Sequence, residues 1–429
     1  MSDAEIFGQS LFNIIQFTIW GILSGGIYAL VALGIVIINK SSGVFNFAHG
    51  WLMFIGGLFF WQVFQNGASN QVTVGLSLAT AFLVVGAVMT MGIGVTTVQS
   101  ATREDKKARS GWQARLEKTG RKWLGLLSSR RFQIALIPAI IAAVGMAFLL
   151  NQEESKILRG AMAGIVGSIL IGMFIERFTI RPLLGQSLLT AILMTLAVGF
   201  IIQGATQLIW GADERPIPVF VEQSEKKPIS VPTGIDENGK TIYTVIGYDI
   251  LPPRALPDYV VNTKSALGEP LRFPRNLTWG FAIAISTFVG FVWLFQYTSI
   301  GLAMRATAEN QILAESVGLR VRLILAIVWG TVAVMAGIAG VIQGTGGSGL
   351  SALVIPALAL RVFPAVLLGG MDSVTGALVG GIIIGIVEQL SILFISTTAA
   401  QEFAPFIVLI IVLYFKPTGL FGQKRIDRV

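Results

Sequence analysis

Long apolar runs alternate with shorter polar connections along the whole chain. Several runs exceed about 18 residues and are apolar on every side, which indicates membrane-spanning helices rather than the one-sided stripes of a soluble core. The pattern predicts an all-α fold, a polytopic transmembrane helix bundle of about ten or eleven spans. The expected spans are 10–38, 44–64, 72–98, 132–150, 160–176, 186–210, 279–297, 323–345, 350–370, 374–396 and 403–415.

Two of these runs carry signs of irregular backbone. Run 350–370 contains Pro356 and Pro364, and run 44–64 begins in the polar stretch 39–43. Non-helical backbone at membrane depth is tolerated only where protein or a wet cavity covers it. Either run is therefore a candidate for a broken or re-entrant helix.

Composition supports the membrane assignment and narrows the chemistry. Hydrophobic residues make up 54% of the chain and charged residues 13%, about half the charged share of an ordinary soluble domain. There is no cysteine, and His49 is the only histidine, which excludes disulfides, thiolate nucleophiles and multi-histidine metal sites. We expect no cofactor. The net charge of +8 comes largely from loops between apolar runs, so we expect no nucleic-acid partner.

Lysine and arginine are distributed unevenly between the connections, and this asymmetry predicts the orientation. Such residues accumulate in the cytoplasmic loops of membrane proteins. The cation-bearing connections hold Lys40, the segment 103–131, Arg177, Arg181, Arg305, Arg320, Arg322 and the tail from Lys416. We therefore expect a multi-pass protein of the bacterial inner membrane, with the N-terminus outside and the C-terminus in the cytoplasm.

Two long connections interrupt an otherwise single transmembrane domain, 1–429. The basic cytoplasmic loop 103–131 contains Trp112 and Trp123; it is either a solvated linker or a segment lying among the headgroups of membrane lipid. The extracytoplasmic segment 211–278 is polar, and Asn238-Gly239 between β-prone runs predicts a hairpin turn. We expect a small β element there, either decorative or a docking surface for an external partner.

Glycines at helical spacing point to close helix packing. The last third of the chain contains a group of four, Gly376, Gly380, Gly381 and Gly385. Small residues four apart allow helix backbones to approach within van der Waals contact in lipid. These glycines predict a tight bundle and carry no information about a substrate.

One glycine-rich stretch partly matches the sequence motif of a nucleotide-binding site. Residues 344–349 (GTGGSG) match the start of a phosphate-binding loop, but Leu350 stands where that loop needs lysine. A membrane helix rather than a strand precedes the stretch. We expect no nucleotide binding and no catalytic activity, so any ATP-driven transport requires an ATPase on another polypeptide.

Few polar side chains lie within the apolar runs. Asn46, His49, Gln203 and Glu388 are the translocation-pathway candidates, because desolvating such groups is costly and each must face protein or water rather than lipid. Glu388 suits either a solute contact, a proton carrier or an interhelical hydrogen bond. His49 suits either a pathway role or a hydrogen bond that packs helices at the turn 47–50.

The connection after residue 297 predicts a short amphipathic helix over 302–317. Its polar face carries Arg305, Glu309 and Asn310, and Gly318 suits the left-handed cap that ends a helix. The opposite face carries Leu302, Ala306, Leu313 and Val317. Such a helix on the cytoplasmic surface is either a coupling element for another protein or an ordinary connection.

Five patches resemble the permease subunits of the branched-chain amino-acid (leucine/isoleucine/valine-type) family of ATP-binding-cassette importers, which includes urea and amide permeases. They run in the family's order from the first span to the tail, so the resemblance covers the chain apart from the two long connections. The patches are 28–30 (YAL) with 46–50 (NFAHG), 176–183 (ERFTIRPL), 305–310 (RATAEN) with Ala314 and Gly318, 365–370 (AVLLGG) with 376–381, and 416–422 (KPTGLFG).

This resemblance implies a function and an assembly. Such a permease works by alternating access with a second homologous permease subunit, two cytoplasmic ATPase subunits and an extracytoplasmic solute-binding protein. Its expected solutes are amino acids, branched-chain ones first, or small polar solutes such as urea and amides. The resemblance further implies that Arg305, Ala306, Glu309, Asn310, Ala314 and Gly318 form the coupling helix that docks on an ATPase.

The chain departs from the family pattern in two places. Runs 132–150 and 160–176, with the basic loop, are expected to be an added helix pair, and the segment 211–278 is unusually long. Both departures put the usual docking of partners in question. The alternative function is a stand-alone secondary transporter or channel, which requires membrane-embedded ionisable groups in a relay; only Glu388 and His49 are available.

Overall fold

The computed structural model describes residues 5–6, 9–66, 70–90, 130–150, 156–183, 186–222, 226–235, 241–250 and 254–422. Within them the chain is mainly helical, which confirms the predicted polytopic helix bundle. The helices are α1 Leu11–Ser42, α2 His49–Asn66, α3 Asn70–Thr90, α4 Arg130–Leu150, α5 Lys156–Leu183, α6 Leu188–Trp210, α7 Lys264–Leu267, α8 Arg275–Tyr297, α9 Ser299–Glu309, α10 Gln311–Ser316, α11 Val321–Gly344, α12 Val354–Arg361, α13 Phe363–Gly369, α14 Val374–Ile395 and α15 Thr398–Phe415.

Each predicted span overlaps one of these helices or a pair of them, and residues 91–98 of the span 72–98 are outside the described residues. Among the described residues, six helices have the length and hydropathy to cross a membrane, namely α1, α5, α6, α8, α11 and α14. The other predicted spans fall on α2, α3, α4, α12 with α13, and α15, which are shorter or less apolar within the described residues. The protein is therefore a multi-pass membrane protein.

Helix ends follow local sequence signals. Serine hydroxyls cap α1, α6 and α14: the Oγ atoms of Ser10, Ser187 and Ser373 accept hydrogen bonds from backbone N–H groups three residues later, at 2.9–3.3 Å. α1 ends at Gly43, which has a φ of +68° and donates its N–H to the Asn39 carbonyl at 2.8 Å. The polar stretch 39–43 therefore contains the last residues of α1 and the glycine that caps it.

α1 is the central helix of the bundle and is buried along most of its length. It packs most extensively against α14, and also against α8 and α11. The glycines of α14 make this close approach possible: a Cβ on Gly381 would lie 2.5 Å from the Ala29 Cα, and one on Gly385 would lie 2.5 Å from the Gly25 Cα. Gly380 and Gly376 face α13 in the same way, at the backbones of Ala365 and Gly369.

The added helix pair differs from the sequence expectation. α5, which contains run 160–176, packs against α2 and α11 in the core, so it is no peripheral addition. α4, which contains run 132–150, packs mainly against α3. The two runs are therefore placed differently in the bundle, which hydropathy cannot reveal because it identifies spans but not their neighbours. The basic loop is outside the described residues except for Arg130 and Arg131, which begin α4.

Both irregular runs are interrupted as the sequence suggested. α12 and α13 meet at Val362, two residues before Pro364, which has no N–H to continue the helical ladder. α2 begins only at His49, and residues 43–48 before it are non-helical. Protein covers this backbone: the rings of Phe45 and Phe363 are 4.6 Å apart between centroids.

Hydrogen bonds bring the cation-bearing connections to one end of the bundle, here called the cation-rich end. The Gln311 side chain donates to the Ser41 carbonyl at 3.0 Å, and the Lys40 ammonium donates to the Asp372 carbonyl at 3.4 Å. The tail joins them, because the Leu420 N–H donates to the Leu368 carbonyl at 2.7 Å.

The opposite end holds the β strands and is here called the β end. The strands are β1 Glu5–Ile6, β2 Gln9–Ser10, β3 Val221–Glu222, β4 Lys226–Ile235, β5 Thr241–Ile250, β6 Arg254–Ala255, β7 Tyr259–Val261 and β8 Leu271–Phe273. The antiparallel pairs are β1–β2, β3–β6, β4–β5 and β7–β8. The predicted β element is therefore present, and Ile235 pairs with Thr241 across the expected turn, whose own residues are outside the described ranges. The Gln16 carboxamide ties α1 to this end through two hydrogen bonds with the Arg272 backbone, at 2.7 and 2.9 Å.

Candidate functional site

The first candidate site is a buried carboxyl group on α14. The Glu388 side chain is fully buried, and its Oε2 atom accepts a hydrogen bond from the Tyr28 hydroxyl on α1. Its other oxygen, Oε1, has no hydrogen-bond partner among the described residues. The arrangement therefore combines an interhelical hydrogen bond with one free acceptor in an apolar interior.

The second candidate site lies at the start of α2. The side chains of Asn46 and His49 are both 1% exposed. The Asn46 Oδ1 atom accepts a hydrogen bond from the Ala48 N–H at 3.0 Å, and the Asn46 carbonyl accepts one from the His49 N–H at 3.3 Å. This Asx turn holds the chain in the non-helical conformation from which α2 begins.

The His49 ring makes no helix-packing hydrogen bond with the described residues, which was one of its two expected roles. Neither ring nitrogen has a hydrogen-bond partner among the described residues, and the Asn46 Nδ2 also has none. The ring packs against α1 at Gly34, where a Cβ would lie 2.7 Å from the His49 Cε1. Buried polar atoms of this kind are rare in folded proteins and favour contact with a polar group.

The polar candidates do not form a single cluster. Tyr28 and Gly34, which contact Glu388 and His49, are six residues apart on α1, about 9 Å along its axis and on different faces. α1 therefore separates the two buried sites. Gln203 is half-buried on α6, and none of the described hydrogen bonds joins its side chain to Asn46, His49 or Glu388.

The third candidate site is the surface segment 299–318, here called the elbow, at the cation-rich end. The sequence predicted one helix over 302–317, and this was wrong: the structure has two helices, α9 and α10. Asn310 separates them with an extended backbone, and its Oδ1 atom accepts a hydrogen bond from the Leu313 N–H at 3.0 Å. A capping side chain in mid-segment competes with helix continuation, which is why the break falls there. Gly318 ends the elbow with a φ of +89°.

Side-chain hydrogen bonds fasten the elbow to the bundle. The Arg305 guanidinium donates to the Phe295 carbonyl at the end of α8 and lies over the Phe295 ring. The Gln311 bond to Ser41 joins the elbow to the end of α1. Ala314 is buried beside Val321 and Leu325 of α11. The elbow thus contacts three core helices.

The outer side of the elbow is apolar and exposed. The exposed fractions are 61% for Leu302, 83% for Ile312, 62% for Leu313 and 65% for Val317. Ala306 is half-buried, whereas Glu309 and Gly318 are exposed. The predicted apolar face therefore points away from the bundle, while Met304 and Thr307 face inward. An outward apolar side on a surface segment is typical of a protein interaction site.

Sequence reasoning missed three of the residues that organise these sites. Tyr28 was noted only within a patch; a buried tyrosine needs a partner for its hydroxyl, but the sequence does not identify that partner as Glu388. Gln311 and Ile312 were not singled out, since neither helical periodicity nor the patches mark them. Their roles depend on the break at Asn310, which turns α10 relative to α9.

Comparison with known proteins places the chain in a family. The family described as branched-chain amino acid transport system, permease component, matches residues 134–413. The chain belongs to this family. Its permease relatives include the high-affinity branched-chain amino acid transport system permease protein LivH of Escherichia coli, which is 23% identical over 430 residues that cover 99% of this chain and 98% of the relative.

Two further permease relatives cover less of the chain. The permease protein BraD of the high-affinity branched-chain amino acid transport system of Pseudomonas aeruginosa is 22% identical over 71% of this chain and 89% of its own length. A probable branched-chain amino acid transport permease protein, LivH of Methanocaldococcus jannaschii, is 29% identical over 34% of this chain and 49% of its own length. No solved structure matches the permease.

The Tyr28–Glu388 pair yields a test of the buried carboxyl group. Tyr28→Phe is expected to destabilise the permease by about 1–3 kcal/mol, because it leaves Glu388 buried without its hydrogen-bond donor. Glu388→Gln keeps the shape and an acceptor for the hydroxyl, so it should cost less. Thermal unfolding of the purified permease measures both, and equal stability of Tyr28→Phe and the unchanged protein would contradict the structural role of the pair.

Proposed function

We propose that the chain is the pore-forming permease subunit of an ATP-driven importer that moves branched-chain amino acids into the cytoplasm by alternating access. The observation that carries the proposal is the elbow, which presents an exposed apolar side at the cation-rich end and is anchored to α1, α8 and α11. The family membership supports the same assignment. Ile312, Leu313 and Val317 are the side chains that a partner ATPase would bury.

The proposed orientation places the cation-rich end in the cytoplasm. The helix ends and the elbow at that end hold Lys40, Arg181, Arg305 and Arg322, and such residues accumulate on the cytoplasmic side of membrane proteins. The β end then faces outside, where the paired strands of segment 211–278 offer a surface to a solute-binding protein. The partners in this proposal are a second homologous permease subunit, two cytoplasmic ATPases and that binding protein.

A movement of the elbow reaches the bundle interior through α1. The Gln311–Ser41 hydrogen bond connects the elbow to the end of α1. α1 in turn packs against α14 through glycines that bring the two backbones into close contact. A rigid-body push on the elbow therefore shifts α1 and α14, with the Tyr28–Glu388 pair between them, as one unit. Each buried polar site is a separate candidate for a solute contact: the free Glu388 oxygen suits an ammonium group, and the free Asn46 amide nitrogen suits a carboxylate.

A stand-alone secondary transporter is the weaker alternative. Its ion relay would have to use Glu388 and His49, the ionisable groups that the sequence offered for this role. They contact different faces of α1, which interrupts a direct path between them.

Reconstitution tests the proposal. Purified permease alone in liposomes is expected to accumulate no labelled leucine, whereas the permease with its second subunit, two ATPases and binding protein is expected to accumulate leucine only with ATP. Labelled urea in the same vesicles tests the solute class. Accumulation of leucine by the permease alone would contradict the proposal, and ATP-dependent uptake of urea but not leucine would correct the substrate.

A further inference from the structure

A cavity at the cation-rich end is unused by the transport proposal. It has a volume of about 930 Å³ and lies between α5, α11 and the end of the elbow, with Phe82 of α3 at its margin. Its wall is apolar on the α5 side, where Leu170, Met173, Phe174 and Phe178 line it. Phe82, Phe174 and Phe178 are each more than half exposed, so this wall is continuous with the lipid-facing surface of the bundle.

The polar rim of the cavity is rich in arginine. Arg177, Arg320 and Arg322 line it, are exposed, and form no ion pair among the described residues. A fourth arginine, Arg181, is already neutralised by a bidentate ion pair with Glu176, at 3.0 and 2.9 Å. Glu315 is the other acidic group on the lining, so the rim retains an excess of positive charge.

Local backbone structure places the three arginines together. Arg177 and Phe178 belong to the π-helical turn Glu176–Ile180 of α5, a type of irregularity that is frequent at functional sites. Arg320 and Arg322 flank the first residue of α11, whose first turn contains no acidic residue. Cations at the positive end of a helix are unfavourable unless an anion compensates them, which adds to the demand for negative charge at this rim.

We propose that this cavity binds an anionic glycerophospholipid of the surrounding leaflet. The headgroup phosphate would contact the guanidinium groups of Arg177, Arg320 and Arg322, and an acyl chain would lie along Phe174 and Phe178. Basic pockets between transmembrane helices on the cytoplasmic side suit such headgroups. The apolar wall distinguishes this occupant from a soluble phosphate, which would use the arginines but not the phenylalanines.

The exposure of the wall also distinguishes the lipid from a protein partner. An ATPase reaches the bundle from the aqueous side, where the elbow presents Ile312 and Leu313. Phe174 and Phe178 instead lie on α5, which is long and apolar enough to cross the membrane. A lipid bridging α5 and the start of α11 would hold together the two core helices beside the elbow. The inference rests on the proposed orientation of the bundle and stands if the substrate assignment fails.

Native mass spectrometry of the full-length permease tests the site. The permease is exchanged into detergent containing equal amounts of phosphatidylglycerol and phosphatidylcholine with identical acyl chains. Retention of phosphatidylglycerol in preference to phosphatidylcholine is expected, and the variant with Arg177→Gln, Arg320→Gln and Arg322→Gln should lose that preference, by roughly fivefold for each arginine. The matched control, Arg272→Gln, removes an exposed arginine at the β end and should keep the preference.

Further variants and a competition experiment distinguish a bound lipid from a soluble anion or a protein partner. Phe174→Gln with Phe178→Gln should weaken retention of both lipids while leaving the arginines intact, and this second variant remains informative if the arginine variant fails to fold. Displacement of the lipid by millimolar inorganic phosphate would overturn the proposal in favour of a soluble anion. Unchanged lipid preference in the arginine variant, with weakened association of the partner ATPase, would overturn it in favour of a protein interface.

Discussion

Gly381→Val is expected to remove most of the folded permease from the membrane. A Cβ at Gly381 would lie 2.5 Å from the Ala29 Cα, so the clash is with backbone on the most closely packed helix pair and no side-chain rotation relieves it. Overpacking of a well-packed interior costs about 1–3 kcal/mol and sometimes more. Here we expect the upper end of that range or beyond, because α1 contacts α8, α11 and α14 together.

The measurement is the yield and thermal unfolding of purified protein in detergent. Gly290→Val is the matched control, since Gly290 is an exposed helical glycine on α8 with no atom within 4 Å of an added Cβ. Equal stability of the two variants would show that the α1–α14 contact is looser than the structure has it.

Gly318→Val is expected to reduce ATP-driven leucine uptake by about tenfold or more while leaving the permease inserted and folded. Gly318 has a φ of +89°, a conformation that costs a β-branched residue about 1–3 kcal/mol. No atom lies within 4 Å of an added Cβ, so the variant introduces no clash and acts on the geometry of the elbow alone. A displaced elbow would dock poorly on the proposed ATPase.

Uptake and ATP hydrolysis in the reconstituted complex measure this effect. Gly347→Val is the control: it places the same side chain in an exposed loop at the β end, also with open space around it. Leu313→Asp supplies an independent variant that keeps the backbone of the elbow and changes only its exposed apolar side. Normal uptake by both elbow variants would remove the elbow from the coupling mechanism.

The elbow shows which features the local sequence pattern can predict and which it cannot. Apolar spacing over 302–317 correctly predicted a surface segment with one apolar side and a left-handed end at Gly318. It did not predict the break at Asn310. At this position a continuous helix competes with a new helix start capped by the Asn310 side chain, and the contacts with α1 and α11 favour the new start.

Buried polar groups illustrate a second limit. The sequence identified His49 and Glu388 as costly to bury, which follows from residue type alone. It could not identify their neighbours: Tyr28 is 360 residues from Glu388 along the chain, and Gly34 is recognisable as a space for the His49 ring only when α1 and α2 are seen together.

The sequence by itself determined the membrane environment, the approximate positions of the apolar helices and the family. These properties depend on the residue types within a whole segment. Lipid constrains those types strongly, because a span must be long, apolar and satisfied in its backbone hydrogen bonds. Only the tertiary structure decided that α5 is a core helix while α3 pairs with α4, that α1 divides the two polar sites, and that three arginines meet an apolar wall. Nearly all helices of this bundle are apolar, so hydropathy cannot predict which helix packs against which. The fit of glycines, rings and caps at each interface determines the packing partners.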